Sequence, residues 1–226
     1  MMSLFAGEGT GSVDLRQQLL IMAAMNAMIR TSALLLAALF AAPVPAQDAP
    51  RTVQVLLTTS AGPITLVLEE ERAPLTTANF LRYVDQQRLD GTSFYRAVKL
   101  RAEPMLGLVQ GGVKSDPKRS LPPVAHEPTT ITGLSHVDGT LSLARAAPGS
   151  ATADFFILVG DLPSLDADPK AAGDNMGFAA FGRVGDGMDV VRTILNAPTS
   201  PTEGVGVMKG QMLEPVIRII SARRVR

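Results

Sequence analysis

Apolar residues at every second position, cut at short intervals by glycine, proline and aspartate, leave this chain few folds other than a β-structure. Val53, Val55 and Leu57 fall on one side of an extended segment, with Gln54 and Leu56 on the other. Ala61-Gly62-Pro63 interrupts, and Ile64, Leu66 and Leu68 resume the pattern. Alternation broken by a Gly-Pro turn describes a hairpin with one buried face. Glu69-Glu70-Glu71 then reads as the solvated end of the second strand. Ser93–Val98, Leu106–Gln110, Thr140–Ala144, Phe155–Val159, Ala179–Val184 and Glu214–Val225 read as further strands. Only two segments carry helical spacing. One opens at Pro74, where a proline costs no hydrogen bond, and expires around Gln87, with Thr76 and Thr77 helping to cap its first turn. The other is Met188–Leu195. Short strands with few helices favour a barrel or sandwich over alternating βα units. The stretches 114–124 and 197–213 read as long surface loops.

Composition removes several function classes. Lys plus Arg equals Asp plus Glu, 21 against 21, so no field draws the chain to a nucleic-acid backbone. With no cysteine, disulfides, thiolate metal sites, a cysteine nucleophile and a lipidated cysteine are all excluded. Two histidines, His126 and His136, are too few for a multi-histidine metal centre, and neither has a carboxylate or nucleophile at recognisable spacing. Neither a metal nor a cofactor is expected. Met28-Ile29-Arg30 followed by the apolar run Ala33–Ala42 and by Val44-Pro45-Ala46 has the three zones of a secretory signal, with cleavage expected after Ala46. That run is 10 residues long, against the roughly 20 of a spanning helix, so cleavage is favoured over a retained anchor. The extension 1–27 is foreign to such a signal, and translation is expected to start at Met25 or Met28. Residues 47–226 then form a single mature domain, periplasmic or secreted, monomeric and not stably inserted in a membrane.

Four segments, in order, resemble the cyclophilin family of peptidyl-prolyl isomerases. They are Ala78-Asn79-Phe80-Leu81 with Asp90-Gly91-Thr92-Ser93-Phe94-Tyr95-Arg96; Val109-Gln110-Gly111-Gly112; Asp138 to Arg145 running on through Ser150 to Ile157; and Phe181-Gly182-Arg183-Val184 with Gly187 to Val191. The resemblance implies an all-β fold, an eight-stranded antiparallel closed barrel capped by two α-helices, that exchanges X–Pro bonds between cis and trans. It also assigns roles. Arg96 falls at the catalytic arginine and Gln110 at the active-site glutamine. Leu108, Phe156 and Leu165 fall at the proline pocket. Ala144, Arg145 and Ala146 fall along the substrate backbone.

Those residue types suit the chemistry. Rotating a peptide bond costs about 18–20 kcal/mol because the nitrogen lone pair is delocalised into the carbonyl. No bond has to be made, so no nucleophile or metal is required. A guanidinium can donate to the prolyl nitrogen once the amide twists, and this contact exists mainly in the transition state. An apolar pocket holds the ring still meanwhile.

The chain departs from the family pattern in places. Six extra residues around Lys99–Met105 imply a longer loop at the site's edge. Gly107 stands where an aromatic is common, implying a shallower pocket. Asp154 replaces a glutamine and is placed to pair with Arg96 or Arg145. Phe178 replaces a histidine at the substrate site. No tryptophan exists, so tight binding of cyclosporin is not expected. These departures motivate an alternative, a non-catalytic chaperone module that binds proline peptides. A hydrolase built on Asp154 and Asp166 lacks any partner at fixed spacing.

Overall fold

The computed structural model describes residues 49–225 together with Leu20, Met22 and Ala23. Those three have helical backbone; the signal-like run Ala33–Ala42 and the cleavage point after Ala46 lie outside the described residues. In β1 (Thr52–Thr59) the alternation is realised: Val55 and Leu57 are fully buried while Gln54 and Leu56 face outward. β2 (Gly62–Glu69) folds back on it in register, Val55 opposite Leu66 and Thr59 opposite Gly62. The turn brings Gly62 against helix residue Val190, where an added Cβ would lie 2.9 Å from Cγ2, and its φ of +134° also demands glycine.

The remaining strands are β3 (Ser93–Arg101), β4 (Leu106–Gly112), β5 (Thr140–Leu143), β6 (Phe155–Val159), β7 (Ala179–Asp186), the two-residue β8 (Thr199–Ser200) and β9 (Met212–Arg224). Neighbours run β1-β2-β7-β5-β6-β4-β3-β9, and β9 pairs back to β1 with Val55 opposite Arg224. All pairings are antiparallel, so eight strands close a barrel with β8 appended to β9. Closure removes the open edges that would otherwise recruit other strands.

Helix α1 (Pro74–Asp85) follows the end of β2, and a short turn of helix, α2, spans Thr129–Thr132. Helix α3 (Met188–Asn196) packs at the opposite end of β2, where its Val190 meets Gly62. Between the two helices runs an aromatic core. Phe80 of α1 packs edge-on against Phe155 at 5.4 Å and against Phe181 at 5.3 Å, and Phe94 meets Phe155 at 5.6 Å. All four rings are fully buried.

Three local expectations are corrected. The first turn of α1 is not capped by its own threonines. The carboxylate of Glu127 accepts the backbone N–H of Thr76 at 2.6 Å and of Leu75 at 3.2 Å, while Thr77 donates to the Glu69 carbonyl. An anion at a helix N-terminus satisfies orphan donors and meets the positive end of the helix dipole. Glu69 is not solvated either; it is 3% exposed, and one of its oxygens bridges Arg72 at 2.7 Å and Arg183 at 3.1 Å. Finally, the stretch 197–213 contains β8, a 3₁₀ turn at Gly206–Met208 and the start of β9, which begins at Met212 rather than Glu214.

Candidate active site

One row of residues runs across five adjacent strands. Met212 of β9 lies opposite Arg96 of β3, Arg96 opposite Gln110 of β4, Gln110 opposite Phe156 of β6, and Phe156 opposite Ser142 of β5. A bulge alters this row at β3. Phe94 pairs with Gly111 and Arg96 with the next residue, Gln110, so Tyr95 is extra. Bulges re-aim side chains, and here Tyr95 and Arg96 both reach Gln110. The Gln110 amide donates to the Tyr95 hydroxyl at 2.8 Å and its oxygen accepts from Arg96 Nη1 at 2.9 Å.

Arg96 is half-buried. Its Nε and Nη2 also donate to one oxygen, Oε1 of Gln211, at 2.9 and 2.6 Å. Among the described residues no carboxylate pairs with it. Burial lowers the affinity of this guanidinium for its proton, and an arginine so shifted still stays charged at working pH. The Tyr95 hydroxyl is pushed well above its ordinary range, first by burial and then by the charge of Asp154, so it stays protonated.

Alongside lies a cleft of about 480 Å³, lined in part by Tyr95, Gln110, Ala144, Ala146, Met208 and Met212. Phe156 is 4% exposed and carries the ring of Phe178 edge-on at 5.4 Å. Leu108 lies two residues from Gln110 on the same partly exposed face of β4. Leu165 ends a 3₁₀ turn, and its carbonyl accepts the N–H of Phe178. Arg145 lies over the Phe178 ring at 5.1 Å and is tied to Asp174 and to the Gly177 carbonyl.

Asp154 pairs with neither arginine. Lys114 and Ser115 adopt φ of +53° and +56°, and this turn presents successive N–H groups to the carboxylate at 2.8 and 3.2 Å. Burial raises the proton affinity of Asp154, opposed by those backbone donors. Gly107 faces inward: an added Cβ would lie 2.2 Å from the Val98 carbonyl and 3.1 Å from Leu195 of α3. The shallower pocket expected from Gly107 is therefore not a consequence of this position. Residues 99–105 form the far end of the β3–β4 hairpin beside α3, where Lys99 donates to the Asn196 carbonyl. They do not line the cleft beside Gln110.

His136 does have a carboxylate partner. Its Nδ1 lies 2.6 Å from Asp166, its Nε2 lies 3.0 Å from Ser142 Oγ, and its ring stacks under Phe156 at 6.2 Å and 19°. Burial pulls its basicity down against the raising pull of Asp166, so the ring is neutral near pH 7. His136 and Ser142 are both fully buried, so no carbonyl reaches Ser142 Oγ. The trio braces the ring of Phe156. Sequence reasoning missed it, and missed Tyr95 and Gln211 as well. The visible signal for Tyr95 was its place beside Arg96; Gln211 had none.

A closed antiparallel barrel, helices at its ends and a cleft beside an arginine–glutamine pair define an all-β protein with that half-buried polar pair on the barrel wall. The chain belongs to the family of cyclophilin-type peptidyl-prolyl cis-trans isomerases, whose model (Cyclophilin type peptidyl-prolyl cis-trans isomerase/CLD) matches residues 54–223, and it is an isomerase of that type. It is 37% identical over 176 residues to peptidyl-prolyl cis-trans isomerase A of Dickeya dadantii, covering 76% of this chain and 85% of that one. It is 38% identical over 154 residues to peptidyl-prolyl cis-trans isomerase cyp18 of Streptomyces antibioticus, covering 66% and 87%. Among solved structures, a cyclophilin type isomerase of Cryptosporidium parvum shares the fold with a TM-score of 0.58 at 20% identity, covering 78% of this chain and 99% of that one.

Proposed function

We propose that this isomerase turns X–Pro bonds by donating a hydrogen bond from Arg96 to the prolyl nitrogen as the amide loses planarity. The observation that carries this reading is the set of Arg96 partners. Three of its five N–H groups are engaged, all by amide oxygens of Gln110 and Gln211, so two N–H groups remain, and among the described residues no carboxylate offsets its charge. Donation to nitrogen grows as lone-pair density returns to it, which makes the contact stronger in the transition state than in the ground state. Leu108, Phe156, Leu165 and Phe178 hold the proline ring, Gln110 fixes the neighbouring backbone, and Ala144, Arg145 and Ala146 border the extended chain. Asp154 shapes the rim through the 113–115 turn.

The clients are proline-containing polypeptides, and the signal-like run before Ala46 makes exported proteins the expected ones. The domain 47–226 then works as a monomer in the periplasm or outside the cell. Of the features that favoured a non-catalytic binder, Gly107 and the 99–105 segment do not line the cleft beside Gln110, and Asp154 lines it but bonds the 114–115 backbone and not Arg96, so they lend that alternative no support.

The test is an isomerisation assay by exchange NMR on a proline peptide. Wild-type protein should accelerate exchange, and Arg96→Ala should lose most of that acceleration while staying folded. An unchanged rate in the variant overturns the role of Arg96. Peptide binding without acceleration by the wild type installs the binder instead.

A further inference from the structure

The catalytic arginine is held from a segment that sequence motifs leave blank. Gln211 sits one residue before β9, between a 3₁₀ turn and the strand residue that pairs with Arg96. Its own backbone is fixed at both ends. Its carbonyl accepts the N–H of Ala97 at 2.9 Å, and its N–H donates to the Met208 carbonyl at 3.1 Å. The loop behind it is internally bonded, Gly210 N–H to the Glu203 carbonyl at 3.0 Å and Lys209 N–H to the Gly206 carbonyl at 3.2 Å. Gly204, at φ +101°, sits so close to the Met208 carbonyl that an added Cβ would lie 2.4 Å away. Nothing in this arrangement leaves Gln211 free to wander.

The geometry points to Gln211 as a positioning residue that sets the plane of the Arg96 guanidinium without neutralising it. This rests on the Arg96 reading above and deepens it. A single amide oxygen accepting from Nε and Nη2 together fixes rotation about the Cδ–Nε bond, and Gln110 fixes the Nη1 corner. The two remaining N–H groups are then aimed before substrate arrives, so orientation is not lost as a cost at the moment of reaction. The choice of an amide matters. A carboxylate at this place would form the stronger, charge-assisted bidentate pair and draw the guanidinium's positive field away from the developing lone pair. An amide oxygen orients the cation and leaves its charge available. The same loop places Met208 at the cleft wall, next to Met212 of β9, so the part that aims Arg96 is continuous with the part that borders the client.

Two substitutions in the full chain separate aim from charge. Gln211→Leu keeps bulk and removes the acceptor. Gln211→Glu keeps the acceptor and shape and adds a negative charge. Each is assayed with wild type and Arg96→Ala for kcat and KM, and the Arg96 Nε–H resonance is followed by ¹H–¹⁵N NMR. Gln211→Leu should lower kcat about tenfold, the loss of a hydrogen bond to a charged group, with KM within about twofold. Its Arg96 Nε–H resonance should shift and exchange faster with water. Gln211→Glu should keep that resonance protected yet also lose about tenfold or more in kcat. A purely structural role would move thermal stability and leave the two variants alike in the resonance. The inference is overturned if wild type is active, Arg96→Ala is not, and Gln211→Leu turns over at the wild-type rate. It is equally overturned if Gln211→Glu matches wild type. An inactive wild type overturns the Arg96 reading itself, a result distinct from either.

Discussion

Two arginines connect to Phe156, Arg96 through Gln110 and Arg145 through Phe178, and they are spent in opposite ways. Arg145 is held by the carboxylate of Asp174 and by the carbonyl of Gly177, with its side chain 5% exposed and its guanidinium laid over Phe178. Its charge is matched locally and its donors are used to tie the 174–177 loop to the strand end. Arg96 is bonded to two neutral amides and, among the described residues, has no carboxylate partner. Side-chain identity does not tell the two apart; the charge of the partner does. A cation beside a carboxylate builds structure, whereas a cation beside amides retains a field that a reacting nitrogen can use.

Replacing each arginine is the sharpest way to break this contrast. Arg96→Ala should reduce kcat/KM by about a hundredfold to a thousandfold, the scale of losing one oriented transition-state donor, with the protein still cooperatively folded. A loss below about threefold, read by exchange NMR, would leave the contrast without a functional meaning. Arg145→Met should do the reverse. Stability should fall by about 1–2 kcal/mol as the Gly177 carbonyl loses its donor, with KM raised a few-fold at the border of the bound chain and kcat within about twofold of wild type. Urea denaturation followed with the rate assay gives both numbers, and a large kcat loss with intact stability would merge the two arginines into one class.

Smaller effects come from pH. His136 has a folded pKa depressed below the unfolded value, so the unfolded state binds the extra proton first. Its contribution is therefore present above about pH 6.5 and is lost as pH falls below that. Stability measured from pH 7 down to 5 should decline, and His136→Asn should flatten the decline through that window; a slope unchanged in the variant removes His136 as the source. The rate itself should change least. Arg96 stays charged and Tyr95 stays protonated, so kcat should be flat between about pH 6 and 9. A bell-shaped profile would mean that proton transfer, not hydrogen-bond donation, limits the reaction.

How much of this was legible in the residues follows from the range of each interaction. Strand and helix positions came through because alternation and helical spacing are local: Phe155–Val159 has the expected bounds, and Met188–Asn196 runs one residue beyond. The family motifs carry Arg96, Gln110 and Phe156, and pairing across β3, β4 and β6 sets them side by side. Tyr95 was hidden by the bulge, since strict alternation puts neighbours on opposite faces. Glu127 caps a helix about 50 residues upstream, and no local rule links them. Asp154 looked free to meet an arginine because the left-handed backbone at Lys114 and Ser115 leaves no mark in a non-glycine sequence. Gln211 sits in a segment whose order comes from bonds across the barrel seam.

That seam has a consequence for how the molecule comes into being. Val55 waits for Arg224, and Arg96 for Met212, so both β1 and the proposed donor depend on the thirteen residues of β9. Contacts this distant in sequence must be closed against chain entropy late in folding. A protein that hastens proline rotation in other polypeptides is thus unable to help its own growing chain. Ribosome-stalled fragments of increasing length make this visible, and isomerase activity arising before Met212 has left the exit tunnel would contradict it.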